Sequence, residues 1–156
     1  MFILDRREDP ITPLLNQWTY QAMIHELIGM DLNKIEPGKI KAQKEQKDED
    51  ITFNSDAFYL QNLYSNYGEV ATNVKNMMDK FLEKAKSQRK LETIEEMQNF
   101  LEHYPEMKTE TANVSKHVNI ITTINQLVAK DDIFDVSKLE QEIVVNDNEK
   151  SQFKVI

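Results

Sequence analysis

A chain of 156 residues with 40% hydrophobic content can bury one core, and no linker-like stretch divides it. Charged residues make up 29% and leave a formal net charge of −8, which argues against nucleic acid or an anionic membrane as the main partner, since either demands a concentrated cationic face. The absence of cysteine excludes disulfides and thiolate metal sites, and suits a cytosolic protein. No run reaches the length of a membrane span, and no signal peptide is visible, so any membrane association comes through partners.

In chain order, Phe2, Ile3 and Leu4 form an apolar run ending at an acid, which reads as the tail of a buried parallel strand. Nothing before it supplies a neighbouring strand, so the expectation is a piece of a longer protein. Thr12 followed by Pro13 predicts a helix start that runs to Gly29, with Leu15, Trp18, Ala22 and His25 on one stripe. Residues 31–54 lose the helical period. Pro37-Gly38 marks a turn, and Lys39-Ile40-Lys41 with Ile51-Thr52-Phe53 predicts a small hairpin flanking a charged loop.

From Ser55, taken as N-cap, Leu60, Leu63, Tyr67, Val70, Val74, Met77 and Phe81 recur at steps of three and four. This predicts one rod to about Lys86, on the order of 45 Å long. Gly68 in its middle is unfavourable by about 1 kcal/mol against alanine and would mark a close backbone approach or a bend. Lys84, Lys86, Arg89 and Lys90 follow as a basic run at a helix C-terminus, where cations oppose the macrodipole. Thr93 and Glu96 then form a capping box for a second helix carrying Met97, Phe100, Leu101 and Tyr104 into Pro105. Beyond the proline, Met107, Thr111, Val114, Val118, Ile121 and Val128 keep the stepping, with Asn125 at one stripe position. A kinked helix, or two in series, packing back along the first rod gives a helical hairpin. Ser137 and Glu140 predict a capping box for a short helix through Ile143, broken at Asn146-Asp147-Asn148, and the apolar end at residues 153–156 again suggests truncation. The fold class is therefore mainly α (α+β): a long helical hairpin with a short N-terminal strand and a small β-hairpin.

Catalysis needs a nucleophile or base held by a second group, and no such set is visible. His25, His103 and His117 are scattered without metal-ligand spacing, and three glycines cannot build a phosphate loop. His117 reads as a packing or hydrogen-bonding residue. Asp5-Arg6 sits where open sheets bind ligands, but a structural tie between strand and loop is the stronger reading. No catalytic, cofactor or metal site is assigned, and the chain is read as a binding protein, not an enzyme.

Asp5-Arg6, then Asp9-Pro10-Ile11-Thr12-Pro13-Leu14-Leu15, then Trp18-Thr19-Tyr20-Gln21-Ala22-Met23 closely resemble the SM (Sec/Munc) family of SNARE-binding proteins, and most of all its vacuolar protein sorting branch. Asp56-Ala57-Phe58-Tyr59, Asn66-Tyr67-Gly68-Glu69, Tyr104-Pro105 and Val114-Ser115-Lys116-His117-Val118 extend the resemblance over nearly the whole chain. It implies that residues 1–30 are the end of the α/β second domain with a bridge helix, and 31–156 the helical first half of the third domain. It also implies that the pocket for the syntaxin N-terminal peptide lies in a first domain outside this fragment. Pro105 matches the family's hinge, where the following helix folds back or straightens, and a proline weakens a straight helix by about 3 kcal/mol. Val118 matches a SNARE-contacting position, although periodicity alone places it in the hairpin core; Met107, Thr111 and Val114 share that ambiguity. Met77, Met78 and Met97 either fill core gaps or form an adaptable interface. The implied partners are a syntaxin-type SNARE and assembled SNARE helices, with a monomeric fragment acting at Golgi, trans-Golgi or endosomal membranes. The alternative reading is a structural coiled coil that self-associates through the Leu60 to Phe81 stripe.

Overall fold

The computed structural model describes residues 5, 7, 11–36, 38–40, 51–88 and 94–145, without the side chains of 87, 88 and 94–102. The strand expected at residues 2–4, the Thr93 and Glu96 capping box, the charged loop, the break at Asn146 and the apolar end all lie outside the described residues. Two compact units are distinguished, Trp18–Asn125 and the segments to either side of it.

The smaller unit holds a single 3-10 turn at Thr12–Leu14 and the helix α5, Ile133–Val145. Pro13 favours that one turn, but Leu15 is already extended (φ −74°, ψ 142°), and no side chain caps the start. The helix expected from Thr12 therefore does not continue. α5 begins four residues before Ser137, which lies buried inside it, so the expected capping box is absent. Glu140 instead accepts from the Asn16 amide (3.2 Å) and from Asn16 Nδ2 (2.7 Å), joining two segments far apart in sequence.

In the larger unit, α1 (Tyr20–Met23) widens into a π-helical stretch, Ile24–Gly29, and Gly29 at φ +89° ends it where a left-handed residue is needed. Tyr20, Ile24 and Ile28 are buried at steps of four together with Met23, whereas His25 is exposed. The buried stripe thus differs from the expected one: the helix starts at Tyr20, so Leu15 and Trp18 precede it, and Ile24 rather than Ala22 is buried. The first strand of the hairpin also lies earlier than expected. β1 (Lys34–Ile35) pairs antiparallel with β2 (Ile51–Thr52), Ile35 opposite Ile51. A two-residue turn at Leu32 (φ 45°) and Asn33 (φ 61°) brings Lys34 back onto Asp31.

The expected rod from Ser55 is two helices, α2 (Ala57–Asn62) and α3 (Tyr67–Gln88). Asp56, not Ser55, caps α2, its carboxylate accepting from the Tyr59 amide at 2.9 Å. Between the helices the backbone is used by the first segment: Tyr20 N–H donates to Ser65, Gln21 N–H to Leu63, and Tyr67 N–H to Trp18. α3 then restarts on a capping box, with Glu69 N–H donating to Asn66 Oδ1 (3.0 Å) and Asn66 N–H to Glu69 Oε2 (3.3 Å). Gly68 falls in this first turn, and a Cβ there would make only an ordinary 3.6 Å contact with Asn66, so it marks neither a close approach nor a bend.

α4 runs unbroken over Ile94–Lys130 with Pro105 inside it. Tyr67 at the start of α3 donates to Asn125, and Lys84 near its end pairs with Glu110 at 2.7 Å, so α3 and α4 form an antiparallel hairpin. The buried stripe of α4 is Val114, His117, Ile121 and Ile124, flanked by Ile120. It is rotated from the expected stripe: Val118 is only half-buried, Thr111 and Asn125 are exposed, and His117 and Ile124 take the inward places.

Candidate functional site

The root of the hairpin is organised by one carboxylate. The Asp56 side chain is 5% exposed and faces Lys116 Nζ and His117 Nε2, the latter at 3.0 Å, while also capping α2. On the far side of the imidazole, Nδ1 meets the Tyr20 hydroxyl at 2.8 Å. A carboxylate can only accept, so Nε2 carries a hydrogen; the hydroxyl serves Nδ1 as donor to a neutral ring or acceptor from a charged one. Aromatic rings close the cluster: Phe58 lies 4.6 Å from the His117 ring, Phe53 stacks on Tyr59 at 4.3 Å, and Lys116 Nζ sits 5.5 Å over Phe53.

Burial alone would raise the Asp56 carboxyl. Hydrogen bonds from His117, Lys116 and the Tyr59 amide, with the electrostatic influence of His117, outweigh it and hold the group well below the usual carboxylate range. Burial first, then the Asp56 charge and Tyr59, push the Tyr20 hydroxyl above its ordinary value. A Tyr–His–Asp chain has the connectivity of an acid–base relay, but Tyr20 is 1% and His117 0% exposed, so no substrate atom reaches either. What this arrangement does is pin α1, α2 and α4 together. Lone pairs and hydrogens are matched, which is what makes a buried charge tolerable.

His117 is thus the hydrogen-bonding residue that the sequence suggests. Asp56 and Tyr20 were not legible as its partners, because they lie 61 and 97 residues away. Three of the short segments quoted above, those containing Tyr20, Asp56 and His117, meet at this one point. A fourth, Asn66-Tyr67-Gly68-Glu69, forms a bridge with Thr19 and packs Tyr67 edge-on to Trp18 at 6.0 Å. Asp5 pairs with Arg7, with Arg7 Nη2 2.6 Å from Asp5 Oδ2, while Arg6 lies outside the described residues.

Of the residues expected to meet a partner, Val114 faces inward and lines a hollow with Asp56 and Phe58, while the others lie around the helix from this cluster or beyond it. Pro105 is exposed, Met107 half-buried, Thr111 exposed, Val114 buried and Val118 half-buried. The hydroxyls of Thr109 and Thr111 donate back to the carbonyls of Pro105 and Met107. Leu60, first of the expected self-association stripe, is 54% exposed, whereas Val70 and Val74 are buried within the chain. The stripe is also interrupted between Asn62 and Tyr67, so it does not present one continuous seam. Among the described residues no helix is long and apolar enough to cross a membrane, and no cluster of three or more His, Asp or Glu side chains is placed to hold a metal.

A model of the Sec1 family matches residues 1–156. The chain belongs to the Sec1 family. This Sec1-family chain is 40% identical over 158 residues to the vacuolar protein sorting-associated protein 45 homolog of Arabidopsis thaliana, a match covering 100% of the chain and 28% of the relative. It is likewise 40% identical over 158 residues to vacuolar protein sorting-associated protein 45 of Homo sapiens, again covering 100% of the chain and 28% of the relative. Among solved structures it resembles that of the SM protein Vps45 in complex with the Qa SNARE Tlg2, with TM-score 0.82 and 38% identity, covering 97% of this chain and 27% of that one. The chain therefore spans little more than a quarter of the length of the relatives it matches, and both the SM resemblance and its vacuolar protein sorting branch hold.

Proposed function

We propose that this chain is the part of a Sec1-family protein that lies against the helix of a syntaxin-type SNARE, or against assembled SNARE helices, and that the whole protein regulates SNARE assembly in vesicle fusion at Golgi, trans-Golgi or endosomal membranes. In this reading residues 1–30 close the second domain and 31–156 form the first half of the third. The fragment is monomeric, needs no cofactor, catalyses no reaction and meets the membrane only through SNAREs. Met107, Thr111, Val114 and Val118 form the contact strip, and Pro105 sets the balance between straight and folded-back courses of α4.

The observation that carries this reading is the unbroken course of α4 through Pro105, which keeps Thr111 exposed and Met107 and Val118 half-accessible on one flank. The solved relative in complex with Qa SNARE Tlg2 supports the class of partner. The test is a binding titration of a labelled Qa-SNARE helix against the native chain, Pro105→Ala and Met107→Asp. Pro105→Ala, which favours the straight helix, should tighten binding, and Met107→Asp should weaken it about tenfold. Equal affinity in all three would remove the strip from the contact surface.

A further inference from the structure

Glu106, Thr109, Glu110 and Asn113 also recur at steps of three and four along α4, roughly a third of a turn around from Met107, Thr111 and Val118. All four edge a hollow of about 460 Å³, and Glu110 also edges an adjoining one of about 490 Å³, between α2, α3 and α4. Phe58 and Met77 line both hollows, and the buried Val114 completes an apolar floor. The Lys84–Glu110 pair, 2.7 Å long, lies at the boundary, since Glu110 borders both.

On either side of that pair the charges differ. Lys80 edges one hollow and Glu106 the other. Both side chains are exposed, and neither has an ion-pair partner among the described residues. Because α3 and α4 are antiparallel, the four residues from Lys84 to Lys80 and the four from Glu110 to Glu106 run in opposite directions. Lys80 and Glu106 are consequently displaced along the hairpin by on the order of 12 Å, the rise of about eight helical residues.

We propose that this groove is a second interaction surface, taking a helical peptide segment with an apolar residue on the floor, an acidic residue one turn to one side over Lys80 and a basic residue one turn to the other over Glu106. Charge complementarity selects this occupant: the floor accepts any apolar side chain, while the two unlike charges reject a segment carrying one sign at both ends. They also fix the direction in which the segment lies, its acid toward the root of the hairpin and its base toward the α3–α4 connection. This surface shares the buried Val114 with the proposed SNARE strip but is lined by none of Met107, Thr111 and Val118.

The test is fluorescence anisotropy of the full chain with labelled alanine-based helical peptides carrying Glu, Leu and Lys at positions i, i+4 and i+8. Peptides with glutamate at both charged positions, with lysine at both, or with alanine for the leucine complete the set. The mixed-charge peptide should bind about three- to fivefold more tightly than either like-charged one, and the alanine peptide more weakly still. Lys80→Glu should move the preference to the doubly basic peptide, and Glu106→Lys to the doubly acidic one. Both positions are exposed, so the variants fold. Met107→Asp should leave the ranking unchanged, which separates this groove from the SNARE-facing strip. The same ranking in the native chain and both charge variants, or no binding by any peptide, would overturn the proposal.

Discussion

Around His117, α4 is held by groups that must all be satisfied together: a carboxylate capping another helix, a partly buried lysine, a tyrosine hydroxyl and a ring of aromatic side chains. Three turns earlier, residues 103–106 of the same helix are exposed, and near that level Lys84 of α3 meets Glu110 in a surface ion pair. Thr109 and Thr111 there direct their hydroxyls to the backbone of their own turn. One helix therefore combines a clamped root with an exposed stretch whose threonine hydroxyls bond to its own backbone. A surface that must adjust to a partner is better placed at the second than the first, because local opening draws on regions with few buried contacts.

The contrast breaks most severely at Asp56. Asp56→Ala leaves Lys116 and His117 buried without their acceptor and removes the α2 cap, so urea unfolding should show a loss of about 3–5 kcal/mol. The same carboxylate gives the root an acid limit. Its folded value is depressed, so its contribution is fully present above the ordinary carboxylate value of about 4 and is lost as pH falls through the folded value. Unfolding midpoints measured down an acid series should fall steeply for the native chain and more gently for Asp56→Asn. At the far end the sign reverses. Pro105→Ala restores a helix donor and relieves the ring clash, so it should stabilise the chain by up to about 3 kcal/mol and slow amide exchange locally. Tyr20→Phe, which removes one hydroxyl from His117, should cost about 1 kcal/mol in the same urea assay. Lys84→Ala should change stability by less than about 1 kcal/mol, since both partners of its ion pair are largely exposed.

Legibility in the sequence follows the same division. The helical hairpin and the burial of Val70, Val74, Val114, Ile121 and Val128 follow from periodicity, because residues three and four apart share a face, and the end at Gly29 follows from the glycine itself. Periodicity is blind to interruptions that preserve its phase. The Leu60 to Phe81 stepping continues across residues 63–66, yet the chain there leaves helical geometry to bond with Trp18, Tyr20 and Gln21. Asn66 followed three residues later by Glu69 was the available signal, a capping box with asparagine in the leading place. The position of β1 was hidden for another reason: its turn places Leu32 at positive φ, where glycine or asparagine would be expected. The Asp56 cluster was legible only as separate short segments, since nothing local in any of them specifies the other two.

The wide spacing of Tyr20, Asp56 and His117 along the chain bears on how the larger unit folds. Each hydrogen bond to the imidazole closes a long loop, with a sequence separation of 97 for one pair and 61 for the other. Neither bond repairs the desolvation of its neighbours unless the remaining groups are already in place. Partial assembly would strand a charge or a hydroxyl in an apolar setting, so few stable intermediates carry only half of the cluster. Local hairpin formation between α3 and α4 should therefore precede closure around His117, and stopped-flow refolding of Tyr20→Phe should show a slowed final phase if that closure comes last.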